Sequence, residues 1–425
     1  MPKRLAIVVL DLSDLGEEGL KYATSLGEEC EIIYFTNKSK LDVGLRKPLR
    51  PPRSAIRTSY TYFQSVCIFE FLSTGSFQKV VFWGCPELSL ATMRAQRFHL
   101  DFLDCSVAIT ANSFDKRVQS RDPEIQFYLK ETLQLSVHLI ESSLHGLTNF
   151  FQSNSNVKIF KNSSSSRKHI TICICHKDRT DYLFEALSGF NEQTFKGFDV
   201  VVVDDGSADK QAFRNISKKI SDSLHLNVRF IELPDSIGPG ACRNMVAKLV
   251  HSPFILFFDD DNIPSQEMMD CLSYMTTFEN IDAISCGYRS FVDNEGQRKE
   301  GSAVHFTGGP IELALKENCL GDTSTLFKRE SFLRAGGFFE APQAILEDWH
   351  LLLKMSLMGM NLTSLPVVQF SYRHHSQQRG KVLSELRGSA SHLSELARSY
   401  GYSMELGPKP PPVDEYTAGW SEFLL

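Results

Sequence analysis

No apolar stretch in these 425 residues approaches the roughly 20 that a membrane-spanning helix requires, so no helical crossing of a bilayer is expected. There is no excess of positive charge either. The 45 Lys and Arg against 51 Asp and Glu leave a net charge of −6, which removes the general electrostatic case for nucleic acid. The ten cysteines contain no CxxC pair. Cys173 and Cys175, two apart in a strand-like run, read as core or pocket wall, because tetrahedral zinc sites use wider spacings. Scattered free thiols point to a reducing compartment. The opening MPKRLAIVVLDLSD has a basic start, but its apolar run is short and ends in acids. It reads as a first strand and not as a signal peptide. Internal repeats are also absent. The expected setting is cytoplasmic, with peripheral contact at the inner face of a membrane left open.

What is present is a globular composition, 42% hydrophobic and 23% charged, in a chain too long for one ordinary core. The clearest seam is KNSSSSRKH, Lys161 to His169, whose serine-rich polar character reads as a linker. Before it, the strand-like runs RLAIVVL, CEIIYF, KVVFWG and CSVAIT alternate with the helical patterns EEGLKYATSLG, SYTYFQSVCIFEFL, ELSLATMRAQRFHLDFL and EIQFYLKETLQLSVHLI. Such alternation predicts an α/β fold with a parallel sheet covered by helices. KSKLDVGLRKPLRPPRSAIR, with three prolines and an excess of Lys and Arg, reads as a solvated loop or as an arm for anionic lipid or phosphate. After the seam the alternation resumes, with ITICIC, DVVVVDD, PFILFFDD and AISCGYRSFV as strands. TDYLFEALSGFNEQ, GACRNMVAKLV, SQEMMDCLSYMTTF and ILEDWHLLLKMSLMG are the matching helices. The predicted division is a Rossmann-like domain over 1–160, a linker over 161–168, a second α/β domain over 169–405 and a tail over 406–425.

Two strands of the second half run into acid: VVVVDDGS at Asp204 and Asp205, and ILFFDDD at Asp259, Asp260 and Asp261. In open parallel sheets, ligands bind at the carboxyl ends of strands, so both clusters can face one crevice. Five converging carboxylates need neutralising, and a hard divalent cation, Mn²⁺ or Mg²⁺, bridging to phosphate oxygens would do it. The plainer alternative is that these acids form turns and cap helices. GPGACRN, Gly238 to Asn244, offers amide groups at a helix start to an anion, with Arg243 adding charge. Glu347 and Asp348 open a helix, where acids either complement its dipole or supply a general base. QFSYRHHSQQR places Arg373, His374, His375 and Arg379 close together after a strand, a set suited to metal or diphosphate.

In order, ITICICHKDRTDYLFEAL, VVVVDDGSAD, GPGACRNMVAKL, FFDDDNIPS, NCLGDTSTLFKRESFLRAGGF, EDWHLLLKMSLMG and YRHH resemble the motifs of a family-2 glycosyltransferase of GT-A fold over about residues 168 to 400. The resemblance implies an inverting transferase that uses a nucleoside-diphosphate sugar and a divalent metal. Carried over by position, it implies Asp205 at the base and Asp260 at the ribose. Asp259 and Asp261 would be the DxD pair, with Asp261 as the main metal ligand. Asp348 would be the catalytic base beside Glu347, and His375 would lie at the metal or diphosphate. Cys175, Asp178, Arg179, Asp204 and Arg243 would line the donor site. The first loop, CHKDR, departs from the family's usual sequence there. Residues 1 to about 155 resemble the N-terminal half of a GT-B glycosyltransferase, as in bacterial tandem enzymes of surface-polysaccharide synthesis. The usual histidine-glycine pair is replaced by ITANSFDKR, and no partner half follows. A glycan or lipid-linked acceptor is implied. A degenerate transferase that binds glycan or nucleotide without turnover is the alternative.

Overall fold

Runs of Val, Ile and Phe without alternating polar residues can be strands only where both sheet faces are covered, and both halves of the chain use them that way. The structure, a computed structural model, describes residues 4–9, 16–26, 30–34, 46–48, 60–73, 77–83, 85–98, 105–110, 123–135, 138–140, 166–294, 297–340, 346–374 and 382–404. In the first half these form β1 (Arg4–Val9), α1 (Gly16–Ser25), β2 (Cys30–Tyr34), β3 (Arg46–Pro48), α2 (Tyr60–Ser73) and β4 (Phe77–Phe82). A 3₁₀ turn (Pro86–Ser89) runs into α3 (Leu90–Arg97), followed by β5 (Ser106–Thr110), α4 (Pro123–Leu135) and β6 (His138–Ile140). The strands pair in parallel in the order β3-β2-β1-β4-β5-β6, the doubly wound order. Val8, Val80, Phe82 and Ile109 on one face pack against Tyr62, Ile68, Leu90 and Tyr128 of the helices.

Two sequence expectations fail here. Arg46–Pro48, expected inside a loop, is a strand, and His138–Ile140, expected as the end of a helix, is another. Both are three-residue strands at the two edges of the sheet, and Pro48 is tolerated because an edge strand needs no donor on its outer side.

The second half runs β7 (Ile170–His176), α5 (Thr180–Asn191), β8 (Phe198–Asp204), α6 (Lys210–Ser223), β9 (Val228–Glu232), α7 (Pro239–Leu249) and β10 (Phe254–Asp259). Then come β11 (Ile263–Pro264), α8 (Met268–Met275), β12 (Ala283–Asn294), β13 (Gln297–Val304), α9 (Ile311–Ala314), β14 (Leu326–Lys328) and α10 (Arg329–Ala335). The chain ends through α11 (Glu347–Leu357), β15 (Leu362–Arg373) and α12 (Val382–Ser399). The sheet is mixed, in the order β11-β15-β12-β14-β10-β7-β8-β9, with β13 hairpinned onto β12. From β7 the chain moves outward to β8 and β9 and then returns to the other side as β10, all four in parallel. That reversal opens a crevice at the carboxyl ends of β7 and β10.

One face of this sheet packs Ile172, Ile174, Val200, Val202, Leu256 and Phe258 beneath α5, α6 and α8. The other packs Cys173, Val201, Ile255 and Phe257 beneath α7, α10 and α11. All ten cysteines are free thiols. Of the serine-rich seam, residues 161–165 lie outside the described residues, as does the tail from 405. The end of the seam is tied to α8: Arg167 pairs with Asp270 at 2.5 Å, and the Lys168 amide donates to Thr276 Oγ1 at 2.8 Å. No described helix is long and apolar enough to cross a membrane.

Candidate active site

The crevice is built from three strand ends and two helix starts. After β8, Asp204 is fully buried and accepts from Lys210 Nζ at 2.9 Å and from the Ser207 amide and hydroxyl. Asp205 accepts from Ser236 Oγ at 2.8 Å, the Ile237 amide at 2.7 Å and the Gly238 amide at 3.2 Å. Its carboxylate therefore pins the loop that leads into α7. Gly206 makes this approach feasible: its φ is +68°, and a Cβ there would lie 2.4 Å from the Ser236 nitrogen. Asp178, also at positive φ (58°), links the first two strand ends. Its amide donates to Ser207 Oγ at 2.9 Å, and its Oδ1 accepts from the Ala208 amide at 2.7 Å. All three acids form local turns, Asp204 and Asp205 at the end of β8 and Asp178 after β7.

Asp259 ends β10, while Asp260 and Asp261 sit in the turn that follows, closed by the Asn262 amide on the Asp259 carbonyl at 3.3 Å, so the carboxylate of Asp259 parts from those of its two neighbours. Asp259 turns toward α7 and accepts from Arg243 at 2.9 Å. The other arm of Arg243 donates to Glu347 Oε1 at 2.9 Å, and its guanidinium lies 5.2 Å from the Phe338 ring centre. One buried cation thus bridges the end of β10 and the start of α11. Asp260 turns the other way and is fully buried. His176 Nδ1 lies 2.7 Å from its Oδ2, and Arg179 donates to its Oδ1. The second arm of Arg179 donates to Asp261. Arg373 donates from Nε to the Asp261 carbonyl at 3.0 Å while pairing with Glu185 and Asp293. The counter-charge that the run of three acids demands is therefore supplied, in part, by Arg179 and Arg243.

It is supplied only in part. Asp348, at the start of α11, accepts from the Trp349 amide at 2.7 Å. Burial, and then the charge of Glu347, pushes its carboxyl up to about 7. Burial raises Asp259 to about 6 against the pull of Arg243. Asp322, between α9 and β14, joins the same group. Burial, and then the charges of Asp348 and Asp259, hold its carboxyl well above the ordinary carboxylate range, and its Oδ1 is buried without a hydrogen-bond partner. Sequence reasoning passed over Asp322 as part of a longer motif. Its signal was an acid in LGDTSTLF, between two apolar runs. His176 was also missed, as a polar residue closing a buried strand.

The described residues place together Arg179, Arg243, Asp259, Asp260, Asp261, Glu347 and Asp348, with Asp178, Asp204 and Asp205 as the scaffold of the adjoining loops. Cys173 is core, and Cys175 lies beneath the start of α7, its thiol 3.6 Å from the Pro239 carbonyl. His375 and Arg379 lie outside the described residues. The excess of carboxyl oxygens, with the orphaned Oδ1 of Asp322 among them, suits a hard cation. No group of three His, Cys, Asp or Glu among the described residues is arranged to hold a metal unaided.

Residues 171–335 match the family model described as Glycosyl transferase family 2. Among curated proteins, the chain is 28% identical over 133 residues to the teichoic acid poly(glycerol phosphate) polymerase of Staphylococcus epidermidis, covering 30% of this chain and 17% of that protein. It is 36% identical over 97 residues to the poly(ribitol-phosphate) beta-N-acetylglucosaminyltransferase TarS of Staphylococcus aureus, covering 22% of this chain and 16% of that one. The chain thus spans less than a fifth of these relatives' length. Among solved structures, S. aureus TarS 1-349 in complex with UDP-GlcNAc aligns at a TM-score of 0.40 and 18% identity, covering 55% of this chain and 73% of that one.

Proposed function

We propose that the second half of the chain, residues 169–405, is a GT-A glycosyltransferase that moves a sugar from a nucleoside diphosphate to an acceptor hydroxyl with inversion. The observation that carries this reading is the convergence of Asp259, Asp261 and Asp348 in one crevice at the sheet's switch point, in and just beyond the stretch that matches the family model. Asp205 holds the 236–238 loop, so the amides at the start of α7 are fixed before a donor arrives. Asp259 and Asp261 would hold a divalent cation, with diphosphate and water oxygens completing its shell. Such a cation, when bound, neutralises charge on the departing diphosphate. Arg179 holds Asp260 and Asp261 in place and adds positive charge at the same spot.

Asp348 takes the proton from the acceptor hydroxyl as that oxygen bonds to the anomeric carbon, and the bond from that carbon to the diphosphate oxygen breaks. A carboxyl held near 7 by burial is suited to this role, being basic enough to accept a proton and still ionised in about half the molecules at neutral pH. Arg243 keeps Asp259 and Glu347 at fixed separation and so couples the donor end to the acceptor end. By analogy with the names of its relatives, the acceptor is a cell-wall or surface polymer, glycan or lipid-linked, reached from the inner face of the membrane. The first half, residues 1–160, is a Rossmann-like partner of GT-B type.

The test is release of nucleoside diphosphate from UDP-GlcNAc, UDP-glucose and GDP-mannose in turn, with Mn²⁺, by the full chain. Release from one of them, with the anomeric configuration inverted in NMR of the product, is expected. Binding of a donor without any release would replace the transferase with a nucleotide-sugar-binding protein.

A further inference from the structure

Among the contacts that the first half makes with the second is one from a fully buried arginine. Arg94, in α3, is 1% exposed. Its Nη1 donates to the Thr307 carbonyl at 2.8 Å and to the Ser364 carbonyl at 3.3 Å, both in the second half. Its Nη2 donates to Glu131 of α4 at 3.2 Å, and its guanidinium lies 5.7 Å from the Tyr62 ring centre in α2. An arginine is costly to bury, and here its charge is met by one carboxylate while its remaining reach is spent on two carbonyls across the seam. Phe127 of α4 adds a further contact: a Cβ on Gly309 would lie 2.8 Å from its ring.

The segment so held leads to the acids. The Thr307 and Gly308 amides donate to the Cys319 carbonyl at 2.9 and 3.1 Å, which closes residues 307–319 into a loop. Asp322 follows three residues later. Within the loop, α9 presents the Ala314 carbonyl to Trp349 Nε1 at 2.8 Å, next to Asp348. Ser364, the other carbonyl held, is in β15, the strand that ends at Arg373 on the Asp261 carbonyl. Hydrogen bonds joined by stretches of backbone therefore connect α3 to both sides of the crevice.

We propose that Arg94 is a positioning residue: through Thr307 it braces the 307–322 loop, and so sets Asp322 and the start of α11 for the reaction. The catalytic part of this inference rests on the transferase reading above; the brace itself does not. It assigns the first half a role in cis, as the wall that orders the acceptor side.

The experiment uses the full chain and two variants, Arg94→Met combined with Glu131→Gln so that no carboxylate is left orphaned, and Arg94→Lys. Hydrogen–deuterium exchange is read over residues 305–322 and 346–350, with β7 and β8 as internal reference. The double variant should exchange about tenfold faster in the first two segments, with the reference unchanged, and Arg94→Lys should recover part of the protection. Unchanged exchange over 305–322 would overturn the brace. So would equal acceleration everywhere, which marks general destabilisation. In parallel, hydrolysis of the donor released in the previous test should lose kcat about tenfold at unchanged donor KM. Faster exchange with wild-type kcat would overturn the positioning role. A wild-type chain that turns over no donor would count against the transferase reading alone, and exchange would still decide the brace.

Discussion

Two sheets in one chain, one parallel and one mixed, end their parallel strands differently. In the first, the described strands stop at Val9, Tyr34, Pro48, Phe82, Thr110 and Ile140, all uncharged. In the second, β7, β8 and β10 stop at His176, Asp204 and Asp259, and two of the three run straight on into further acid. Both sheets meet the same packing demand with the same Val- and Ile-rich runs. Among the described residues, only the second ends strands in carboxylates, and it gathers arginines around them. The lesson is that the α/β framework is indifferent to chemistry, and the charge at the strand ends separates a scaffold from a candidate site.

The comparison is tested hardest at Asp348. Asp348→Asn should lower turnover by about 10²- to 10⁴-fold while leaving donor affinity near wild type, since a base acting on the acceptor contributes to the chemical step. Steady-state kinetics beside calorimetric donor binding would show it; wild-type kcat would reduce Asp348 to a residue that complements the helix dipole. The pH profile sharpens the point. The base works when ionised, so kcat/KM should be full above about 7 and fall roughly tenfold per pH unit below it. Stability has the opposite sign. A carboxyl raised in the fold favours the folded state below the ordinary carboxylate range, and that contribution is lost as pH rises through about 7. Asp348→Asn should therefore gain melting temperature over wild type as pH goes from 5 to 8.

A smaller effect is expected from removing the buried bridge. Arg243→Met leaves Asp259 and Glu347 without their shared cation and should cost about 3–5 kcal/mol in denaturant unfolding. A loss below about 1 kcal/mol would mean that water or another cation already serves these acids. Smaller again is the cation itself. Asp261→Asn should weaken Mn²⁺-dependent donor binding by at least about tenfold, and chelation should do the same to wild type. Equal affinity with and without chelator would assign the counter-charge to Arg179 and Arg243 alone. The smallest effect belongs to the partly exposed pair at the seam: Asp270→Asn should change stability by less than about 1 kcal/mol, because solvent screens its contact with Arg167.

The sequence by itself determined the parts whose cause is local. Long β-branched runs specify buried strands, and the order of DDGS, DDD and ED along those runs is enough to put the acids at strand ends and a helix start. The short edge strands Arg46–Pro48 and His138–Ile140 escaped because three residues, paired on one side only, carry no periodic signal. What the acids touch was decided by tertiary structure alone. Arg243 joins Asp259 to Glu347 across 16 and 104 positions, and Arg94 reaches Thr307 across 213. Asp322 enters the group only because β14 runs antiparallel beside β10. Charge interactions depend on distance in space and on the exclusion of water, and neither is written in the spacing of residues along the chain.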